Sequence, residues 1–210
     1  SWMLNGGTLP DFPCVANFGS RPEENFTALE RFRPGQPTMC GEYWCGWFDH
    51  WGEEHHVRPP EEVKADIGEF LRLNASFNIY MFHGGTNFGF CNGANHIKGD
   101  YQPTITSYDY CAPLTESGDM TETYYKIQQM FSEYTGQPIS DLKVENQPKK
   151  AYGTVELTQY APLLEQKTQL VQPVLSPQPR TMEQLGQDFG YILYSTVLNG
   201  PITGLKLNLG

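Results

Sequence analysis

The sequence predicts an α/β fold built on a parallel sheet, followed by a β-rich segment. Three observations carry this. Apolar runs at 12–18, 37–44 and 76–82 alternate with amphipathic helical stretches. The runs are continuously apolar rather than alternating, as expected of parallel strands covered on both faces. After Gly136 the chain turns polar and Pro-containing, and then strand-like.

The first run ends at Gly19. Ser20-Arg21-Pro22-Glu23 then offers an N-cap serine, a glutamate three residues on and a proline in the first turn. Phe26, Leu29 and Phe32 share a helical face, which Pro34-Gly35 terminates. The second run closes on Gly41-Glu42-Tyr43-Trp44. A loop rich in Trp, Asp and His leads to Pro59-Pro60. Val63, Ile67, Phe70 and Leu71 then repeat at helical spacing, and Asn74 closes that helix. After the third run, residues 83–106 form a long Gly/Asn-rich loop, a kind that is usually functional. A last helix starts near Asp119-Met120-Thr121-Glu122, shows Tyr124, Ile127, Phe131 and Tyr134 on one face, and ends at Gly136. Beyond it, 151–157 and 189–198 read as strands, Asn199-Gly200 as a turn, and 205–210 as a further strand. Residues 162–180 show no helical period. Both ends of the chain read as cut, so a segment of a longer protein is expected.

Composition narrows the function. The 210 residues carry a net charge of −10. Nucleic acid is thereby disfavoured, since phosphate neutralisation needs clustered Lys and Arg; neutral sugars stay open. No apolar run approaches the length of a membrane span. Five cysteines without a CxxC argue against a disulfide scaffold or zinc site. Glu53-Glu54-His55-His56 is not HExxH, and adjacent His residues do not share a helical face, so a solvated turn is expected rather than a metal site.

Chemistry concentrates in three segments. In 41–52, three of the four Trp fall within eight residues, beside Glu42 at a strand's C-terminal end. A carboxylate among aromatic platforms is what sugar cleavage needs: the rings meet the C–H faces of a pyranose, and the carboxylate meets the anomeric carbon. The competing reading places the Trp residues in the core, with Glu42 capping backbone or paired with Arg. In 80–95, His83-Gly84-Gly85-Thr86-Asn87-Phe88-Gly89 lacks the lysine of a phosphate loop and fits a polar-ligand wall. In 107–114, Tyr108-Asp109-Tyr110 alternates aromatic and acidic residues. It reads either as part of the site or as barrel wall, with Asp109 bonded to backbone.

Together these segments resemble glycoside hydrolase family 35, the β-galactosidases. The matches are Glu42 to Gly52, Tyr80 to Phe88, Asn92 to Asn95 and Ser107 to Leu114, in the family's order and spacing. The resemblance implies a partial TIM (β/α)8 barrel: the last three strand-helix units over residues 1–136, a linker with a short strand over 137–180, and the start of a β-sandwich domain over 181–210. It implies Glu42 as nucleophile, with Trp44, Tyr80 and Tyr110 lining a galactose pocket and Trp47 beside them. Cys91 and Cys111 depart from the family's frequent Trp and Asp. Retaining hydrolysis of a terminal β-galactoside would follow, with no cofactor and no metal. The family's acid/base lies well upstream of the nucleophile and has no match here; Val144-Glu145-Asn146 lies after the barrel and lacks the following Glu. The expected partners are a β-galactoside and the remainder of the catalytic domain, and the 210 residues alone are expected to be inactive. A related exo-β-glycosidase, or a non-catalytic carbohydrate-binding module, is the alternative.

Overall fold

The computed structural model describes residues 2–139, 144–201 and 203–204. The chain divides into two units, residues 1–150 and 151–210. The first contains α1 (Trp2–Asn5), β1 (Ala16–Phe18), α2 (Pro22–Phe32), β2 (Met39–Trp44), α3 (Pro60–Arg72), β3 (Ser76–Tyr80), β4 (Ala94–Ile97), β5 (Asp100–Pro103) and α4 (Glu122–Thr135). β1, β2 and β3 form a parallel sheet in that order. Parallel neighbours need a crossover, and α2 and α3 supply the two.

The core lies between this sheet and its helices. Phe18 meets Phe26 edge-on at 5.2 Å, Tyr43 meets Phe70 edge-on at 5.1 Å, and Phe70 stacks on Phe77 at 4.9 Å. Leu29, Val63 and Ile67 are buried with them. Each such side chain contributes about 1.5–3 kcal/mol by leaving water. α4 docks on α3, where Gly68 faces Met130 and Lys126 bridges Glu61 at 2.5 Å and Glu122 at 3.1 Å. On α4, Ile127 is buried while Tyr134 stays exposed, so the buried face is narrower than the aromatic periodicity implies.

Helix ends follow local chemistry, with one departure. The N-cap of α2 is Arg21, not Ser20, and no side chain caps it. Pro22 disfavours right-handed helical angles at the preceding residue, and Arg21 sits in the left-handed region at φ 55. Asn74 closes α3 at φ 50. Thr121 caps α4 by accepting from the Tyr124 N–H at 3.4 Å, and Gly136 ends it in the left-handed conformation.

The 83–106 loop is not structureless. β4 and β5 pair antiparallel across Lys98-Gly99, both at positive φ. That is the geometry a tight hairpin turn demands. The residues lack an apolar alternation, so the pattern gave no strand signal.

In the second unit the strands expected at 151–157 and 189–198 do not form. Alternation fixes which face of a strand is apolar but provides no hydrogen-bonding partner, and an extended segment without one is not a sheet. Val155, Leu157 and Tyr160 are exposed accordingly. The strand expected at 205–210 lies outside the described residues. Instead α5 (Leu163–Leu170) occupies part of the stretch read as aperiodic, and a 3-10 turn spans Glu183–Leu185. Thr181 and Gln184 cap each other reciprocally, at 3.1 and 3.3 Å. Among the described residues no helix is long and apolar enough to cross a membrane.

Candidate active site

The parallel register sets Trp44 beside Tyr80 at the C-terminal edge of the sheet. Chemistry in α/β barrels collects at this edge, because the βα loops converge there. An irregularity in the β2 register between Cys40 and Tyr43 breaks the strand's alternation. Tyr43 is buried against Phe70 of α3, while Glu42 and Trp44 are only half-buried.

Glu42 is held from two sides. Its backbone N–H donates to Asn17 Oδ1 of β1 at 3.1 Å. Its carboxylate Oε2 accepts the Trp44 indole N–H at 3.0 Å. Among the described residues it takes part in no ion pair, so the arginine pairing considered from the sequence is not what holds it. Trp44 therefore grips the carboxylate itself, besides offering a ring.

The rings form one connected wall. Trp44 meets Trp47 at 5.5 Å, Trp47 lies 6.2 Å from Tyr110, and Tyr110 meets Tyr80 edge-on at 5.7 Å. The structure thus brings Glu42, Trp44, Trp47, Tyr80 and Tyr110 to one place. It adds Phe48, which the sequence did not single out, and Tyr108 of the third segment. Phe48 stacks between Trp47, at 5.0 Å, and Tyr108, at 5.5 Å. The Tyr108 hydroxyl lies 3.5 Å from that of Tyr80. Burial, with nearby negative charge, raises the Tyr108 and Tyr110 hydroxyls well above the usual tyrosine range. Both therefore stay protonated and able to donate.

Two glycines set the wall's position. A Cβ on Gly46 would sit 1.7 Å from the Tyr110 carbonyl oxygen, and one on Gly84 would sit 1.7 Å from that of Tyr108. The Tyr108–Cys111 segment packs directly on backbone from both strand-end loops, and only hydrogen fits between.

Residues 53–56 are exposed, as a solvated turn would be, and Asp49 ties the histidines of that loop down. Asp49 is 7% exposed. It takes hydrogen bonds from the His55 ring at 2.6 Å, the His56 ring at 2.7 Å and the His56 backbone N–H at 2.9 Å. Burial pushes its carboxyl up, but these bonds outweigh burial and hold it below the ordinary carboxylate range. The bond to Asp49 raises His55 against its burial. His50 is raised first by Asn95, at 2.9 Å, and then by Glu53, at 2.8 Å. Sequence spacing gave no sign of these pairs, because the acceptors lie on the far side of a loop. An open depression of about 520 Å³ is lined by Asp49, His55, Ser107, Asp109 and Glu116 among others, and Glu42 is not part of it. Among the described residues no group of three or more His, Cys, Asp or Glu is placed to hold a metal.

A carboxylate stands on the C-terminal edge of a parallel sheet, walled by tryptophan and tyrosine, on an α/β scaffold. Comparison with known proteins gives the family. The family model for glycosyl hydrolases family 35 matches residues 2–134, and the chain belongs to that family. Family 35 implies a TIM barrel, and the sheet with its helices is mixed α/β as that requires. Over 91% of its length the chain is 43% identical to the human "Beta-galactosidase-1-like protein 3". Over 96% it is 41% identical to the "Beta-galactosidase" of Xanthomonas manihotis, and over 93% it is 39% identical to that of Mus musculus. The chain spans 30% to 34% of the length of these relatives.

Proposed function

We propose that this chain is part of a retaining β-galactosidase and carries the nucleophile and one wall of the sugar pocket. The observation that carries the reading is Glu42: its carboxylate stands at the sheet edge, held by the Trp44 indole and flanked by Trp47, Tyr80 and Tyr110. Glu42 attacks the anomeric carbon of a terminal β-galactoside and forms a covalent galactosyl-enzyme. A second carboxyl, about 5–5.5 Å away in retaining enzymes, protonates the departing oxygen. It then takes a proton from water, which releases galactose and restores both groups. The aromatic faces stack on the apolar faces of the ring, and the protonated tyrosines donate to its hydroxyls.

The acid/base carboxyl comes from outside these 210 residues. Residues 1–136 are the last three strand-helix units of the barrel, and its remainder is the partner this chain needs. Among the described residues the outer edges of β1 and β3 have no strand neighbour, which supports that reading. Residues 137–180 link to a β-sandwich domain that begins within 181–210.

The test uses the full-length protein with a 2-deoxy-2-fluoro-galactosyl inactivator. Peptide mapping is expected to place the adduct on Glu42, and Glu42→Gln is expected to abolish labelling and turnover. An adduct on any other residue overturns the assignment.

A further inference from the structure

Arg58 lies in the loop between β2 and α3, outside the aromatic wall and outside every motif read from the sequence. It is nonetheless well buried, its side chain 17% exposed. Its guanidinium ties the loop to two elements, β2 and α3. Nη1 donates to the Trp44 carbonyl at 2.9 Å and reaches the Tyr43 hydroxyl at 3.3 Å. Nη2 pairs with Asp66 of α3 at 2.5 Å. Asp66 in turn accepts the Tyr43 hydroxyl at 2.9 Å. The guanidinium carbon also lies 5.7 Å from the centre of the Tyr43 ring. On its backbone side, the Arg58 N–H donates to Cys111 Sγ at 3.4 Å, and the Cys111 thiol donates back to the Arg58 carbonyl at 3.7 Å.

Two of these contacts end at or next to wall residues: the Trp44 carbonyl and the Cys111 thiol. Trp44 is the last residue of β2, and its indole holds Glu42. Cys111 follows Tyr110 directly, and both sit at positive φ, 63 and 51. Such backbone persists only where surroundings impose it. The side chain of Arg58 fixes the strand end while its main chain fixes the Tyr110 segment.

We propose that Arg58 is a positioning residue for the site, setting Glu42 and Tyr110 at their working separation. This rests on Glu42 being the nucleophile. The planar fork of arginine explains the residue type. One guanidinium reaches a carbonyl and a carboxylate in fixed directions at once, which the single ammonium of lysine does not reproduce. Lysine would keep the charge beside Asp66 and lose the second anchor. A misplacement of about 1 Å costs roughly a hundredfold in rate.

The experiment compares wild type, Arg58→Lys and Cys111→Ala in the full-length protein. Active sites are counted by stoichiometric labelling with the fluorinated galactosyl inactivator, and kcat and KM are expressed per labelled site. Arg58→Lys is expected to lower kcat per site by roughly 10- to 100-fold, with KM changed less than about threefold. Cys111→Ala, which removes only the backbone-side link, is expected to lower kcat per site by a smaller factor. A merely structural role would reduce the number of labelled sites and leave the per-site rate unchanged. That result in Arg58→Lys overturns the proposal. If Arg58→Lys does not fold, wild-type per-site kcat in Cys111→Ala overturns it instead. A wild type labelled elsewhere than Glu42 removes the underlying reading, which the same labelling step reveals separately.

Discussion

Gly46 offers the sharpest test of how the site is built. Its replacement by alanine places a Cβ 1.7 Å from the Tyr110 carbonyl oxygen, 2.9 Å from the carbonyl carbon and 3.1 Å from the Cys111 Cβ. Carbon and carbonyl oxygen otherwise approach to about 3.3 Å, so the two backbones must part by roughly 1.5 Å. The crowding atoms are mainly backbone, and no side-chain rotation relieves the clash. Tyr110 is 1% exposed, so its ring has no free space to follow. Overpacking of this kind costs about 1–3 kcal/mol. Its effect on catalysis is larger, because a shift of about 1 Å at a site costs about a hundredfold in rate. Gly46→Ala in the full-length protein is therefore expected to lower kcat/KM on a fluorogenic β-galactoside by about a hundredfold or more, with a lowered melting temperature. Gly52→Ala is the comparison. Gly52 has φ 85 and nothing within 4 Å of an added Cβ, so the cost is backbone strain of about 1 kcal/mol, with kcat/KM unchanged. A folded Gly46→Ala protein with wild-type kcat/KM would refute the reasoning.

Two further outcomes follow. Trp44→Phe keeps a ring but removes the indole N–H from the Glu42 carboxylate. A hydrogen bond to a charged group is worth about 1.5–3 kcal/mol, so kcat/KM is expected to fall about 10- to 100-fold; a loss under threefold would show that the bond does not hold the nucleophile. The Asp49 cluster gives a pH signature. His50 and His55 are raised by their partners, so their contribution is complete below the ordinary imidazole value of about 6.5 and is lost as pH rises through the raised values. Asp49 is lowered, so its contribution is complete above about 3.9 and is lost as pH falls through the lowered value. The melting-temperature gap between wild type and His55→Gln is expected to be widest between about pH 4 and 6.5 and to shrink above it; a gap constant from pH 5 to 9 would count against the pairing.

The sheet was legible because its signal is local. Continuous apolar runs mark β1 to β3, and the spacing of Val63, Ile67 and Phe70 marks α3. The β4–β5 hairpin was not, since Ala94 to Pro103 lacks both apolar alternation and a common turn pair, and only the backbone at Lys98-Gly99 reveals it. The reverse failure occurred at 151–157 and 189–198. There the alternation of 151–157 and the apolar, aromatic run of 189–198 are plain, but a strand is a relation between two segments, and a pattern in one does not supply the other. The same logic divides the site. Glu42, Trp44, Trp47, Tyr80 and Tyr110 lie in dense, recognisable motifs. Asn17 and Arg58 matter through contacts across 25 and 53 residues of chain, and nothing in their own neighbourhoods announces them; Asp49 lies within a recognisable motif, but its bond to His56, 7 residues on, does not show in the pattern.

The proposed mechanism needs a second carboxyl as general acid, and the loop carboxylates differ in their electrostatics from what that part requires. A general acid has to hold its proton until the leaving oxygen takes it, which calls for a carboxyl raised by burial. The acidic side chains around the loops are set up the opposite way. Asp49 is held down by His55 and His56. Glu53 is lowered by the backbone N–H and ring of His50. Glu116 is lowered by hydroxyl donors, Ser107 first and Thr86 second. Each is stabilised as an anion by hydrogen bonds that serve the loop. Converting any of them into an acid would mean breaking the bonds that keep the loop in place. On the proposal that Glu42 is the nucleophile, these three loop carboxylates are committed to structure as anions and do not suit the acid's part.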